Sequence, residues 1–165
     1  IENNVFSTMM SAILVPVENG HWYESGSATN LKILNNTFDD CSYGGDNHGV
    51  IRLVTDNENQ NIAFRNIVIQ GNEFNTFDNL IIEITNAENL EFSNNIIRES
   101  STYQKLFPQN PVIDVKNSKG VVIENNTYNG SLSKILRVDE FSIIEKCDIN
   151  RVNYSLLGDL KNKME

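Results

Sequence analysis

Asn30-Leu-Lys-Ile-Leu-Asn-Asn-Thr-Phe38 returns without gaps three more times, as Asn66-Ile-Val-Ile-Gln-Gly-Asn-Glu-Phe74, Asn89-Leu-Glu-Phe-Ser-Asn-Asn-Ile-Ile97 and Gly120-Val-Val-Ile-Glu-Asn-Asn-Thr-Tyr128. Each copy reads as a turn residue, a short alternating strand, an Asn and a second strand. Ile1-Glu-Asn-Asn-Val-Phe6 is the tail of an earlier copy, and Phe141 to Ile149 a degenerate last one with Cys147 in the Asn place. The aligned positions are Asn4, Asn36, Asn72, Asn95, Asn126 and Cys147, separated by 32, 36, 23, 31 and 21 residues. The shortest of these separations match a three-strand coil with tight turns, and the longer ones are insertions at the corners. Asn tolerates the left-handed backbone of a sharp bend, and its amide can bond to the Asn one coil away, at the strand spacing of about 4.8 Å.

Between these motifs runs another strand series: Ala12 to Val15, Val50 to Val54, Leu80 to Ile84, Val112 to Val115 and Ile135 to Val138. The apolar residues alternate with period two and Asn-rich breaks arrive every few residues, which excludes long amphipathic helices. The reading is all-β: a right-handed parallel β-helix, a solenoid of about five to six three-strand coils over residues 1–155. Leu156 to Glu165 is expected to cap its exposed end, as a solenoid requires. A β-sandwich would share the short, regularly spaced strands but not the in-register Asn repeat.

With 165 residues and 39% hydrophobic content the chain can bury one sizeable core. Its formal charge of −9 disfavours a nucleic-acid groove or an anionic membrane surface, both of which call for clustered Lys and Arg. It holds no apolar run long enough to span a membrane and opens without the zones of a signal peptide. It begins without Met, inside a repeat, so further upstream coils of the same parent chain are expected as its neighbours. Cys41 and Cys147 stand about four coils apart, too far for a disulfide, and read as two buried thiols. No metal ligand set is expected, since no Cys/His spacing resembles a zinc site.

Three insertions exceed a minimal turn: 18–29, 55–65 and 98–111. The first carries Glu18, His21, Trp22, Tyr23 and Glu24. Trp22 beside Tyr23 and Glu24 is equipped to stack on the apolar face of a sugar ring while carboxylates accept its hydroxyls. The competing reading has Trp22 plugging the coil surface beneath its own loop. In the second strand series, alternation turns one residue per coil outward and aligns Leu14, Arg52, Glu83, Asp114 and Arg137 on one face. Glu83 and Asp114, about one strand spacing apart, could form a glycosidase carboxylate pair. The bracketing arginines make a surface charge ladder the more economical account. His48, after the flexible Gly44-Gly45-Asp46-Asn47 turn, either lines a groove with Arg52 or is a solvated turn residue. Asp39-Asp40 reads as a turn, and the Asn-Asn-Thr sequons are what the coil bend generates.

The Asn-rich coils resemble the right-handed parallel β-helix proteins that act on polysaccharides. A narrower similarity lies in the order Asn3-Asn4-Val-Phe6, Ser11-Ala-Ile-Leu-Val15, Trp22-Tyr-Glu-Ser-Gly26, Leu31-Lys-Ile-Leu-Asn-Asn-Thr-Phe38 and Cys41. That order resembles the C-terminal part of the bacterial α-1,3-galactosidases of glycoside hydrolase family 110. The resemblance implies a secreted or periplasmic, cofactor-free bacterial enzyme that removes terminal α-linked galactose from an oligosaccharide or glycan with inversion. It also implies catalytic aspartates in a Gly-Asp-Asp-Ala type segment, which this chain lacks; Asp39-Asp40 sits in Phe-Asp-Asp-Cys. The expectation is therefore a fragment inactive alone, with Trp22, Tyr23, Glu24, His48 and Arg52 as substrate contacts. A non-catalytic β-helix from an adhesin or phage fibre is the alternative. A polysaccharide lyase ranks third, because no calcium-binding acidic cluster is evident.

Overall fold

The computed structural model describes residues 1–18, 25–56, 61–77, 80–131 and 134–151. Its strands come in a repeating order. β1 (Val5–Phe6), β2 (Ile13–Val17) and β3 (Ala28–Thr29) open the chain, and β4 (Lys32–Leu34), β5 (Thr37–Asp39) and β6 (Ile51–Thr55) follow. Then come β7 (Phe64–Gln70), β8 (Glu73–Thr76) and β9 (Ile82–Thr85), and next β10 (Ala87–Ser93), β11 (Ile96–Glu99) and β12 (Ile113–Lys116). The last are β13 (Lys119–Asn129), β14 (Leu136–Val138) and β15 (Ile144–Arg151).

Every pairing is parallel, and each strand lies beside the strand one repeat away. One sheet orders β2-β6-β9-β12-β14. The other contains two parallel rows: β1-β5-β8-β11-β13, and β4-β7-β10-β13 with β3 also on β7 and β15 also on β13. No helix occurs among the described residues. The molecule is thus all-β with stacked parallel sheets, an arrangement compatible with a β-helix.

Alternation explains the core. Ile33, Ile69, Phe92 and Ile123 share one register line inside the first row, and all are buried. Phe6, Phe38 and Phe74 stack nearly parallel at 5.1 and 4.7 Å between ring centroids, the spacing of adjacent parallel strands. Such repetition brings like residues together without any partner being close in sequence.

The Asn pairs divide their labour. Asn36 donates through its backbone N–H and Nδ2 to Asn72 Oδ1 at 2.9 and 3.0 Å; Asn72 does the same to Asn95, and Asn95 to Asn126. Asn4 begins the series on Asn36. The bend itself belongs to the preceding residue: Asn3, Asn35, Gly71, Asn94 and Asn125 have φ between 53° and 66°. One Asn was expected to serve both purposes, but the bend and the inward amide need different backbone directions, so two adjacent residues supply them.

The last repeat departs further from expectation. In β15 Cys147 lies opposite Ile123, not Asn126, which faces Ile149 across a register shift. Cys147 is consequently exposed, while Cys41 is buried; both thiols are free. Burial pushes the Cys41 thiol upward from its ordinary value, with Asp39 and Asp40 adding to the rise against backbone hydrogen bonds. The expected cap over 156–165 lies outside the described residues.

Candidate functional site

The outward face of β2, β6, β9, β12 and β14 carries the charged row. Register aligns Leu14 with Arg52, Arg52 with Glu83, Glu83 with Asp114 and Asp114 with Arg137. Parallel pairing places such side chains about 4.8 Å apart along the row, so opposite charges meet.

Asp114 is the most tightly held. Arg137 grips it with a two-toothed contact, Nε to Oδ1 at 2.9 Å and Nη2 to Oδ2 at 2.6 Å, and Lys116 Nζ adds a contact at 3.6 Å. These partners cover the carboxylate, leaving it 3% exposed although it stands on the outer face. Burial alone would raise its pKa, but the Arg137 hydrogen bonds and the two positive charges outweigh it and hold Asp114 below the usual carboxylate value. Asp114 is therefore a fixed anion, unsuited to donating a proton at neutral pH.

Glu83 sits in a looser group. Arg52 Nε lies 2.9 Å from Glu83 Oε2, the Gly49 N–H donates to the same oxygen at 3.2 Å, and His48 Nδ1 lies 3.9 Å away. The His48 nitrogen is buried without a hydrogen-bond partner, and the Arg52 N–H, though ion-paired, is not aimed at the carboxylate in hydrogen-bonding geometry. Gly49 is required by space, since a Cβ there would approach Glu83 Cβ to 2.9 Å. The structure thus gathers His48, Arg52 and Glu83, three residues singled out from sequence on separate grounds.

Beyond Arg52 the row opens into a cleft of about 440 Å³ lined by Leu14, Pro16, Val17, Glu18, Arg52, Val54, Thr55 and Asp56. The Ser25 hydroxyl accepts from the Glu18 N–H at 3.0 Å and donates to the Pro16 carbonyl at 2.7 Å. That bridge closes the neck of the first insertion beside the cleft. Trp22, Tyr23 and Glu24 lie outside the described residues. Among the described residues no cluster of three His, Cys, Asp or Glu side chains is placed to hold a metal, and no helix is long and apolar enough to cross a membrane.

No family model matches the chain. Several curated proteins do resemble it. α-1,3-Galactosidase A of Bacteroides fragilis is 36% identical over 135 residues, which is 79% of this chain and 22% of that protein. α-1,3-Galactosidase A of Shewanella woodyi is 30% identical over 142 residues, 84% of this chain and 23% of the relative. α-1,3-Galactosidase B of Bacteroides thetaiotaomicron is 33% identical over 147 residues, 85% and 24%. The chain is a relative of the bacterial α-1,3-galactosidases. It spans about a quarter of the length of those it matches.

In this galactosidase relative, several site features escaped the sequence reading. Asp114 was expected to point outward into solvent; it points outward but is covered by Arg137 and Lys116. Lys116, two residues along the same strand, was the available signal, since positions i and i+2 share a face. Leu14 was assigned to the row, yet its meaning as an apolar residue where every later coil carries a charge went unread. Asp40 takes a left-handed φ of 43° and accepts from the Ser100 hydroxyl, as a turn residue would.

Proposed function

We propose that this galactosidase relative is a segment of a right-handed parallel β-helix of about five to six three-strand coils. In this reading residues 1–155 form the coils, 156–165 cap them, and upstream coils of a longer enzyme complete the catalytic unit. That enzyme removes terminal α-linked galactose from a glycan, inverts the anomeric centre, and works in a secreted or periplasmic setting. The single observation behind the reading is the match over about four fifths of the chain to proteins named α-1,3-galactosidases. Stacked parallel sheets and the cleft beside Arg52 are consistent with it.

Within the chain, Glu83 and Asp114 are assigned to positioning and charge balance rather than to proton transfer. Inverting hydrolysis needs a protonated acid and a separate base that activates water, with carboxyl groups roughly 6.5–9.5 Å apart. Asp114 is held ionised, and register places Glu83 one strand spacing away, nearer the retaining geometry. Their ion pairing with Arg52 and Arg137 also favours a second reading, a non-catalytic β-helix module that binds or supports.

The decisive experiment compares this chain with the full-length parent protein on an α-1,3-linked galactoside, following the anomer of released galactose by proton NMR. Release of β-galactose by the parent and no turnover by the chain is the expected result. Turnover by the chain that Glu83→Gln abolishes would overturn the positioning role, and an inactive parent would favour the supporting module.

A further inference from the structure

We propose that the cleft lined by Leu14, Pro16, Val54, Arg52 and Glu18 binds one neutral hexopyranose unit; this rests on the galactoside reading above and gives it a place on the chain. The row along this sheet supplies the first observation. Four consecutive coils carry Arg52, Glu83, Asp114 and Arg137 at the outward position, whereas the first carries Leu14, 51% exposed. Beside it stands exposed Pro16, so two apolar side chains of one strand face water next to a guanidinium. A pyranose ring offers a matching patch of C–H groups ringed by hydroxyls, and concave sites for small ligands combine an apolar lining with a few polar groups.

Arg52 supplies the second observation. Its Nε lies 2.9 Å from Glu83 Oε2, no described group accepts from its terminal nitrogens, and the residue lines the cleft. Two N–H donors in a rigid fork can span neighbouring hydroxyl oxygens on one ring. Glu18, which also lines the cleft, offers an acceptor-only carboxylate, its backbone N–H bonded to Ser25. Donor, acceptor and apolar side chains thus line one cleft of about 440 Å³, inside the range of roughly 300–1,000 Å³ usual for small-molecule sites.

Charge decides the class of sugar. Glu18 and Asp56 line the cleft with Arg52, and Glu83 pairs with Arg52, so three carboxylates share this region with one guanidinium. A uronate or sulfated sugar would meet net repulsion, whereas a neutral ring gains both donor and acceptor contacts.

The test titrates the chain with methyl α-galactopyranoside, methyl α-glucopyranoside and galacturonate, read by calorimetry and by amide shifts of Leu14, Arg52 and Val54. Saturable galactoside binding is expected, with galacturonate at least about ten-fold weaker, and Leu14→Asp and Arg52→Lys each weakening it about ten-fold, the scale of one lost pocket contact. Both substitutions lie on the outer face, and an unchanged circular dichroism spectrum confirms the fold. Galactoside binding that neither variant weakens would overturn the cleft while leaving the galactoside reading intact. Equal binding of glucoside, lost in Leu14→Asp, would uphold the cleft and count against galactose as its natural ligand. Preference for galacturonate, or no binding of any of the three sugars, would overturn the inference.

Discussion

Two rows of asparagine run through the same repeats a few residues apart, and they differ in what surrounds them. Asn36, Asn72, Asn95 and Asn126 are buried; the first three amides each accept from one Asn and donate to the next, and Asn126 accepts from Asn95 and donates to the Phe92 carbonyl. Asn30, Asn66 and Asn89 face solvent, and their amides also join repeat to repeat, at 3.1 and 3.2 Å. In the next repeat Gly120 holds that outer place with φ 64°. Glycine can replace the outer Asn because the position needs only a left-handed backbone, and water replaces the lost amide. No glycine stands in the inner row, where a lost partner has no water to turn to. The same residue therefore serves a conformational purpose outside and a hydrogen-bonding purpose inside.

The comparison breaks most visibly at Asn95. Asn95→Leu should destabilise the chain by about 3 kcal/mol, because it strips the Asn72 N–H and the Ile69 carbonyl of buried partners. Urea unfolding measures this, and an unchanged midpoint would mean the inner row carries little stability. Arg137→Met sharpens the contrast by stranding a buried carboxylate, at about 2 kcal/mol near neutral pH, discounted for the exposed arginine and the remaining Lys116. Since Asp114 has a folded-state pKa below its unfolded value of about 3.9, its contribution is complete above that pH and fades as pH falls through the folded value. The gap between wild type and Arg137→Met should therefore close in acid; a gap independent of pH would place the effect in packing instead. The smallest change is Asn89→Gly, which keeps the left-handed backbone and loses an exposed bond, within about 0.5 kcal/mol. A loss comparable with that of Asn95→Leu would erase the distinction between the two rows.

Period-two alternation made the strand series and the Leu14 to Arg137 row legible in the sequence, because a strand with one buried face fixes which residues point away from it. The split between bend and ladder was not legible, since both positions are filled by Asn in four of the five repeats and only Gly71 tells them apart. Cys147 was misplaced because counting from the Asn motif assumes an unbroken register, and the β13–β15 pairing shifts twice. Burial of Asp114 depends on how Arg137 and Lys116 fold over it, which no linear pattern records.

The inner row also has a direction. Each amide from Asn4 to Asn95 donates to the Asn of the next repeat, and each from Asn36 to Asn126 accepts from the one before, so the dipoles add head to tail as in a helix. Mutual polarisation then makes each link stronger for having neighbours, and an interior break is felt on both sides of it. The row is accordingly one-way, and two such rows joined head to head would set like poles against each other.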